Sequence, residues 1–219
     1  VNRGVRDPDS AQLFLNPRLK DVADPMNLPN MEAMVDRLWL ARERQERMVV
    51  FGDYDVDGVS STALLMEVFE DLGWPPVNVY LPHRLEEGYG LSQKAVETCL
   101  TRFSPQLLLA VDCGSTAGDT IEWLRNYNVD VLVLDHHQIA EEPPAANAVV
   151  NPQINTAEDA PFRELCAAGL AFKLAHALVK RGREENLAEA FSFDLRKLLD
   201  LVALGTIADL VPLTGENRI

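Results

Sequence analysis

MVVFGDYDVDGVSSTALLMEVFEDLG (48–73) is the stretch on which the fold turns. MVVF (48–51) is uniformly apolar, as a strand buried on both faces must be. VSSTALLMEVFEDLG (59–73) repeats apolar residues at helical spacing and ends on Gly73, a residue suited to stopping a helix. Strand, polar turn and helix in that order open a parallel crossover. Further apolar runs follow at VNVYL (77–81), LLLAVD (107–112), VDVLVLD (129–135) and AVV (148–150). Between them lie a helix capped by Ser92 and running to about 102, and another over 117–127. Residues 161–208 read as helical, with breaks at Gly182 and at 192–194. Upstream, Pro8, Pro17, Pro25 and Pro29 mark residues 1–30 as a loosely structured arm, and Asn30 is expected to cap a helix over 31–46. The expected fold is α/β: a doubly wound, mainly parallel five-stranded sheet with helices on both faces. An N-terminal arm and helix precede it and a helical segment ends it. The corresponding division is 1–46 for arm and helix and 47–219 for the main domain.

At 219 residues, 47% hydrophobic and 25% charged, the chain can bury a core without disulfides. No apolar run reaches the ~18 residues of a membrane span, and the polar opening VNRGVRDPDS has no secretory apolar core. Three cysteines, Cys99, Cys113 and Cys166, form no CxxC pair, so a reducing, cytoplasmic setting is expected, with Cys113 a buried small hydrophobe. The net charge of -14 argues against an extended basic footprint for nucleic acid, but bound metals can invert a local sign.

Ligands in open parallel sheets bind beyond the carboxyl ends of the strands. Acids or histidines follow four expected strands: Asp53, Asp55 and Asp57; His83 beside Arg84; Asp112; and Asp135, His136 and His137. A calcium loop of the D-x-D-x-D-G kind is excluded, because its twelfth position, counted from Asp53, is Leu64 rather than an acid. In an extended stretch alternate side chains share a side, so Asp53, Asp55 and Asp57 are expected to converge on one point and to need cations there. Carboxylates with one or two imidazoles and no thiolate suit Mn²⁺ or Mg²⁺, and their number suggests a two-metal site of the kind that cleaves phosphoesters. Asp209, at the end of the apolar run LVALGTIAD (201–209), either caps a helix or closes that site.

GDYDVDG (52–58), LPHRLEEGYGLS (81–92), VDCG (111–114), LDHH (134–137), VVNP (149–152) and GTIADLVPL (205–213) together resemble the DHH phosphoesterase superfamily, and within it the RecJ-like single-strand exonucleases. Residues 2–19 are similar to that family's N-terminal arm. Phe51 stands where the superfamily's pyrophosphatases carry a histidine. The resemblance implies Asp55, Asp57, Asp112, His136 and Asp209 as metal ligands for Mn²⁺ or Mg²⁺, with Asp112 bridging. It implies His137, Asp53 and Asp112 as the catalytic set, and Arg84, His83, Gly88, Tyr89 and Gly90 as the substrate side. The implied activity is 5′→3′ hydrolysis of single-stranded DNA to mononucleotides in repair and recombination. A single-strand-binding protein or helicase would be a partner, with no membrane involved. Other branches of the superfamily imply a small-substrate phosphodiesterase (nanoRNA, pAp or cyclic dinucleotide) or a non-enzymatic replication scaffold. The family's second lobe and oligonucleotide-binding fold are not in this sequence, so weak DNA binding is expected of it.

Overall fold

The computed structural model describes residues 7–139, 142–157 and 160–219, so residues 2–6 of the arm that carries part of the resemblance lie outside the described residues. In chain order the elements are α1 (Pro8–Leu15), α2 (Met31–Arg44), β1 (Met48–Phe51), α3 (Val56–Asp71), β2 (Asn78–Tyr80), α4 (Gln93–Phe103), β3 (Leu107–Val111), α5 (Gly118–Arg125), β4 (Asp130–Leu134), β5 (Ala148–Val150), α6 (Ala167–Glu184), α7 (Ala188–Ser192) and α8 (Leu199–Ala208). The strands form one sheet in the order β2-β1-β3-β4-β5, and every pairing is parallel.

The uniformly apolar strands are explained by two cores. Met48, Val50, Leu107, Leu109, Val111, Leu132 and Leu134 face α2, α3 and α6. Their alternates Val49, Phe51, Leu108, Ala110, Val131 and Val133 face α4 and α5. Each fully buried side chain of this kind contributes roughly 1.5–3 kcal/mol, and both strand faces collect it. Among the described residues no helix is long and apolar enough to cross a membrane.

Several local expectations change. α3 begins at Val56, three residues early, because Asp55 caps it by accepting from the Gly58 amide at 2.9 Å. Asn30 is not a side-chain cap: it sits at φ +62°, and its Nδ2 donates to the Val149 carbonyl, tying α2 to β5. Gly182 is no break but lies within α6, where a Cβ would stand 2.7 Å from that of Ala190 on α7. Residues 161–166 stay outside the helix, whereas the break after Ser192 is real. The proline-rich arm holds α1 and two single 3-10 turns, with Pro25 and Leu28 buried. Gly73, at φ +66°, ends α3 as expected.

Candidate metal centre

Sheet order decides where the acids meet. β1 feeds α3 on one face of the sheet and β3 feeds α5 on the other, so the loops after these neighbouring strands part and leave a crevice. Asp53 enters it from the β1 loop and Asp112 from the β3 loop, at 0% and 1% exposure. Oxygens of Asp53, Asp55 and Asp112 lie within 4.8 Å of one another. Asp57, His136 and Asp209 form a second such group, and Asp112, His136 and His137 a third. Asp112 and His136 each belong to two of the three groups, so the donors make one continuous cluster. His136 Nε2 stands 3.3 Å from Asp112 Oδ1 and 3.7 Å from an oxygen of both Asp57 and Asp209.

The convergence of Asp53, Asp55 and Asp57 by strand alternation is not what is found. Helix begins between them, so Asp53 and Asp55 point to one end of the cluster and Asp57, on the first turn of α3, to the other. Asp57 is pinned by the N-terminus of α6: its Oδ2 accepts from the Ala167 amide at 2.7 Å and its Oδ1 from the Ala168 amide at 2.8 Å. The partial positive charge of a helix start suits that carboxylate. Gly205 of α8 makes room for it, since a Cβ there would lie 2.5 Å from Asp57 Oδ1. Asp209 is the C-cap of α8, and from that helix end its carboxylate comes within 4.8 Å of donor atoms of Asp57 and His136.

Both oxygens of Asp53 and of Asp112, and Nε2 of His136, are shut from solvent without a hydrogen-bond partner. Burial, then the charges of Asp57 and Asp55, push the Asp112 carboxyl from 3.8 up to about 10. Burial likewise raises Asp53 and Asp209. Orphaned buried carboxylates cost several kcal/mol each unless a cation satisfies them. Asp112 also holds left-handed backbone at φ +62°, a conformation uncommon outside glycine and kept here at the point where the loops meet. Oxygen donors with imidazole nitrogen fit Mn²⁺ or Mg²⁺. Cys113, next in sequence, turns away into the core, and burial first and then Asp135 hold its thiol well above its ordinary value.

His137 is built differently. Burial alone would raise Asp135, but its hydrogen bond from His137 prevails and holds it at about 2. Asp135 is therefore an acceptor, and His137 Nδ1 donates to its Oδ1 at 2.7 Å. That leaves Nε2 turned outward, 3.2 Å from the Tyr89 hydroxyl. Gly88 and Gly90, at φ +88° and +57°, carry Tyr89 to this position. Asp135 was not among the acting residues expected from the sequence; its signals were its place at the end of an expected strand and before the two histidines. Arg84 makes no ion pair with Glu86 or Glu87; its guanidinium lies 5.1 Å from the Tyr54 ring centroid, and Tyr54 in turn meets Tyr89 edge-on. His83 is exposed and does not join the cluster: its amide donates to Glu87 Oε2, which shapes the loop after β2.

Residues 47–206 match the family model described as DHH family, N-terminal domain. The single-stranded-DNA-specific exonuclease RecJ of Bacillus subtilis is 39% identical over 220 residues, covering 100% of this chain and 26% of that protein. That of Escherichia coli is 37% identical over 222 residues, covering 100% of this chain and 37% of that protein. Among solved structures, an exonuclease RecJ bound to manganese aligns with a TM-score of 0.76 at 35% identity, over 92% of this chain and 47% of that one. RecJ from Thermus thermophilus in complex with Mn²⁺ aligns with a TM-score of 0.74 at 31% identity, over 94% of this chain and 28% of that one. The chain thus spans between about a quarter and just over a third of the length of these two curated relatives.

Proposed function

This chain belongs to the DHH family, and from that premise we propose that it is the metal-dependent phosphodiesterase core of a RecJ-like exonuclease, removing mononucleotides 5′→3′ from single-stranded DNA. The observation that carries the proposal is the set of buried, unpartnered oxygens of Asp53 and Asp112 beside His136 at the switch point of the sheet. In this reading Asp57, Asp112, His136 and Asp209 would hold one divalent ion, and Asp55 with Asp53 would hold a neighbour that shares Asp112. When bound, Mn²⁺ or Mg²⁺ supplies charge neutralisation at the phosphodiester and makes water a better nucleophile. His137, with its Nδ1 proton held by Asp135, offers Nε2 as the proton acceptor or donor at the reacting oxygen. Arg84 would meet a strand phosphate, and the turn of Gly88, Tyr89 and Gly90, beside His83, would line the strand's path. The catalytic unit is ascribed to 47–219 and the arm and helix to 1–46, of which α2 packs on the catalytic unit through Met34, Val35 and Leu38. Work in the cytoplasm beside a single-strand-binding protein or helicase fits three free, buried thiols and a single-strand substrate.

Oligonucleotides labelled at the 5′ or the 3′ end, digested with Mn²⁺ and with chelator, test the proposal. The expected result is slow, Mn²⁺-dependent release of mononucleotides from the 5′ end, because a chain of net charge -14 grips a long anion weakly. Rapid hydrolysis of dinucleotides with long strands untouched would replace it with a small-substrate enzyme. Absence of Mn²⁺ binding would overturn it altogether.

A further inference from the structure

The VVNP segment at the end of β5 contributes no donor to the metal cluster, yet its asparagine is fully buried against the site. Asn151 has 0% exposure. Its Nδ2 donates to the Ser115 hydroxyl at 2.8 Å and to the His137 carbonyl at 2.9 Å, while its Oδ1 accepts from the Gln153 amide at 2.8 Å. A carbonyl can only accept and an amide N–H can only donate, so these partners admit one orientation of the side chain. Ser115 follows β3 and passes the constraint on: its amide donates to Asp135 Oδ2 at 2.9 Å. Asp135 Oδ1 takes the His137 Nδ1 proton and the amides of His136 and His137. Asn151 thus reaches His137 by two routes, directly at its carbonyl and through Ser115 and Asp135 at its ring.

We infer that Asn151 is a positioning residue for the His137 imidazole, tying the loops after β3, β4 and β5 so that Nδ1 faces Asp135 and Nε2 faces the reacting group. The inference rests on the reading of His137 as the proton-handling residue. A residue merely filling space in the core would need no such set of directed bonds. Of its bonds, only the one to Gln153 is local to its own loop, and the other two cross to different strands' loops. Asn151 touches none of the groups assigned to the cations, so its loss should leave metal binding in place. In metal sites, outer partners that orient a ligating histidine are worth about 10–100-fold, and a loss on that scale is expected for orienting His137.

The test uses this chain as wild type, Asn151→Ala and Ser115→Ala, each with and without His137→Ala. Imidazole ¹⁵N spectra of the metal-free proteins should show a hydrogen-bonded Nδ1–H at His137 in the wild type, weakened or lost in Asn151→Ala and in Ser115→Ala. With Mn²⁺ saturating, kcat should fall about 10–100-fold in Asn151→Ala and less in Ser115→Ala, which keeps its amide on Asp135, while KM and the Mn²⁺ binding midpoint stay put. In the His137→Ala background neither substitution should lower kcat further, because each acts through the missing ring. An unchanged His137 spectrum, or the same fold loss in both backgrounds, overturns the inference. A loss repaired by raising Mn²⁺ overturns it too, since Asn151 would then be shaping the ligands. If the wild type hydrolyses no strand, the proposed function fails, and the spectra still decide whether Asn151 sets the ring. Should Asn151→Ala not fold, Asn151→Asp, which keeps the acceptor for the Gln153 amide but loses both Nδ2 donor bonds, carries the same tests.

Discussion

Asp112→Asn is expected to stabilise the metal-free protein and to abolish its response to Mn²⁺. Asparagine keeps the shape of the side chain and tolerates the φ of +62° found there. What it removes is a carboxyl that burial, and then the charges of Asp57 and Asp55, push from 3.8 up to about 10. The unfolded chain releases this proton near 3.8, whereas the metal-free folded protein keeps it. Each pH unit above 3.8 then costs the folded state about 1.4 kcal/mol, a ceiling of roughly 4 kcal/mol at pH 7. Because the folded value is the higher one, the contribution is complete below 3.8 and is lost as pH rises towards 10. His176, lowered by burial, works in the opposite sense only below its ordinary 6.5, so the informative window opens there. His137 is raised, chiefly by its bond to Asp135, and acts in the same sense as Asp112; comparing the two proteins largely cancels it. Between about pH 6.5 and 8.5 the wild type should lose about 3 kcal/mol relative to Asp112→Asn, roughly 5–10 °C of Tm. Scanning calorimetry in EDTA measures this, and millimolar Mn²⁺ should reverse the ranking by favouring the ionised carboxylate. Parallel Tm curves across the window in EDTA would refute the reasoning, since Asp112 would then be solvated without its cation.

Asp135→Asn should leave Mn²⁺ binding nearly intact but lower turnover by about 10²–10⁴-fold. With the raising partner gone, His137 should titrate at lower pH, visible as a downward shift in its NMR titration. Gly205→Ala places a Cβ 2.5 Å from Asp57 Oδ1 and from the Cβ of Ala168, and should cost about 1–3 kcal/mol in urea unfolding while weakening Mn²⁺ affinity in calorimetry. Lys173→Met breaks a pair in which Lys173, 1% exposed, reaches Glu216 at 2.6 Å and the Ala23 carbonyl at 2.8 Å. Leaving the Glu216 carboxylate with the Ala23 amide but no cation should cost about 3–5 kcal/mol, part of it recovered when Glu216 is also made apolar, as paired unfolding curves would show.

The alternation of apolar strands with amphipathic helices determined the sheet, its direction and the edge at which the acids gather, because strands buried on both faces leave no other pattern. The motif residues were legible for the same reason: polar side chains directly after such strands have a ligand edge to occupy. Three-dimensional structure alone decided how those residues divide. Asp53 and Asp57 lie four residues apart yet serve opposite ends of the cluster, because a helix starts between them and α6, more than a hundred residues later, supplies the amides that hold Asp57. Asp135 and Asn151 lie in stretches the sequence singles out but carry no role there; their contacts arise from the adjacency of the β3, β4 and β5 loops, which the strand order sets. Gly182 shows the converse, a residue that reads locally as a breaker but is used for close helix packing against Ala190. Local chemistry is written in the order of residues, whereas a cluster assembled from three distant loops and a helix end depends on which strand lies beside which.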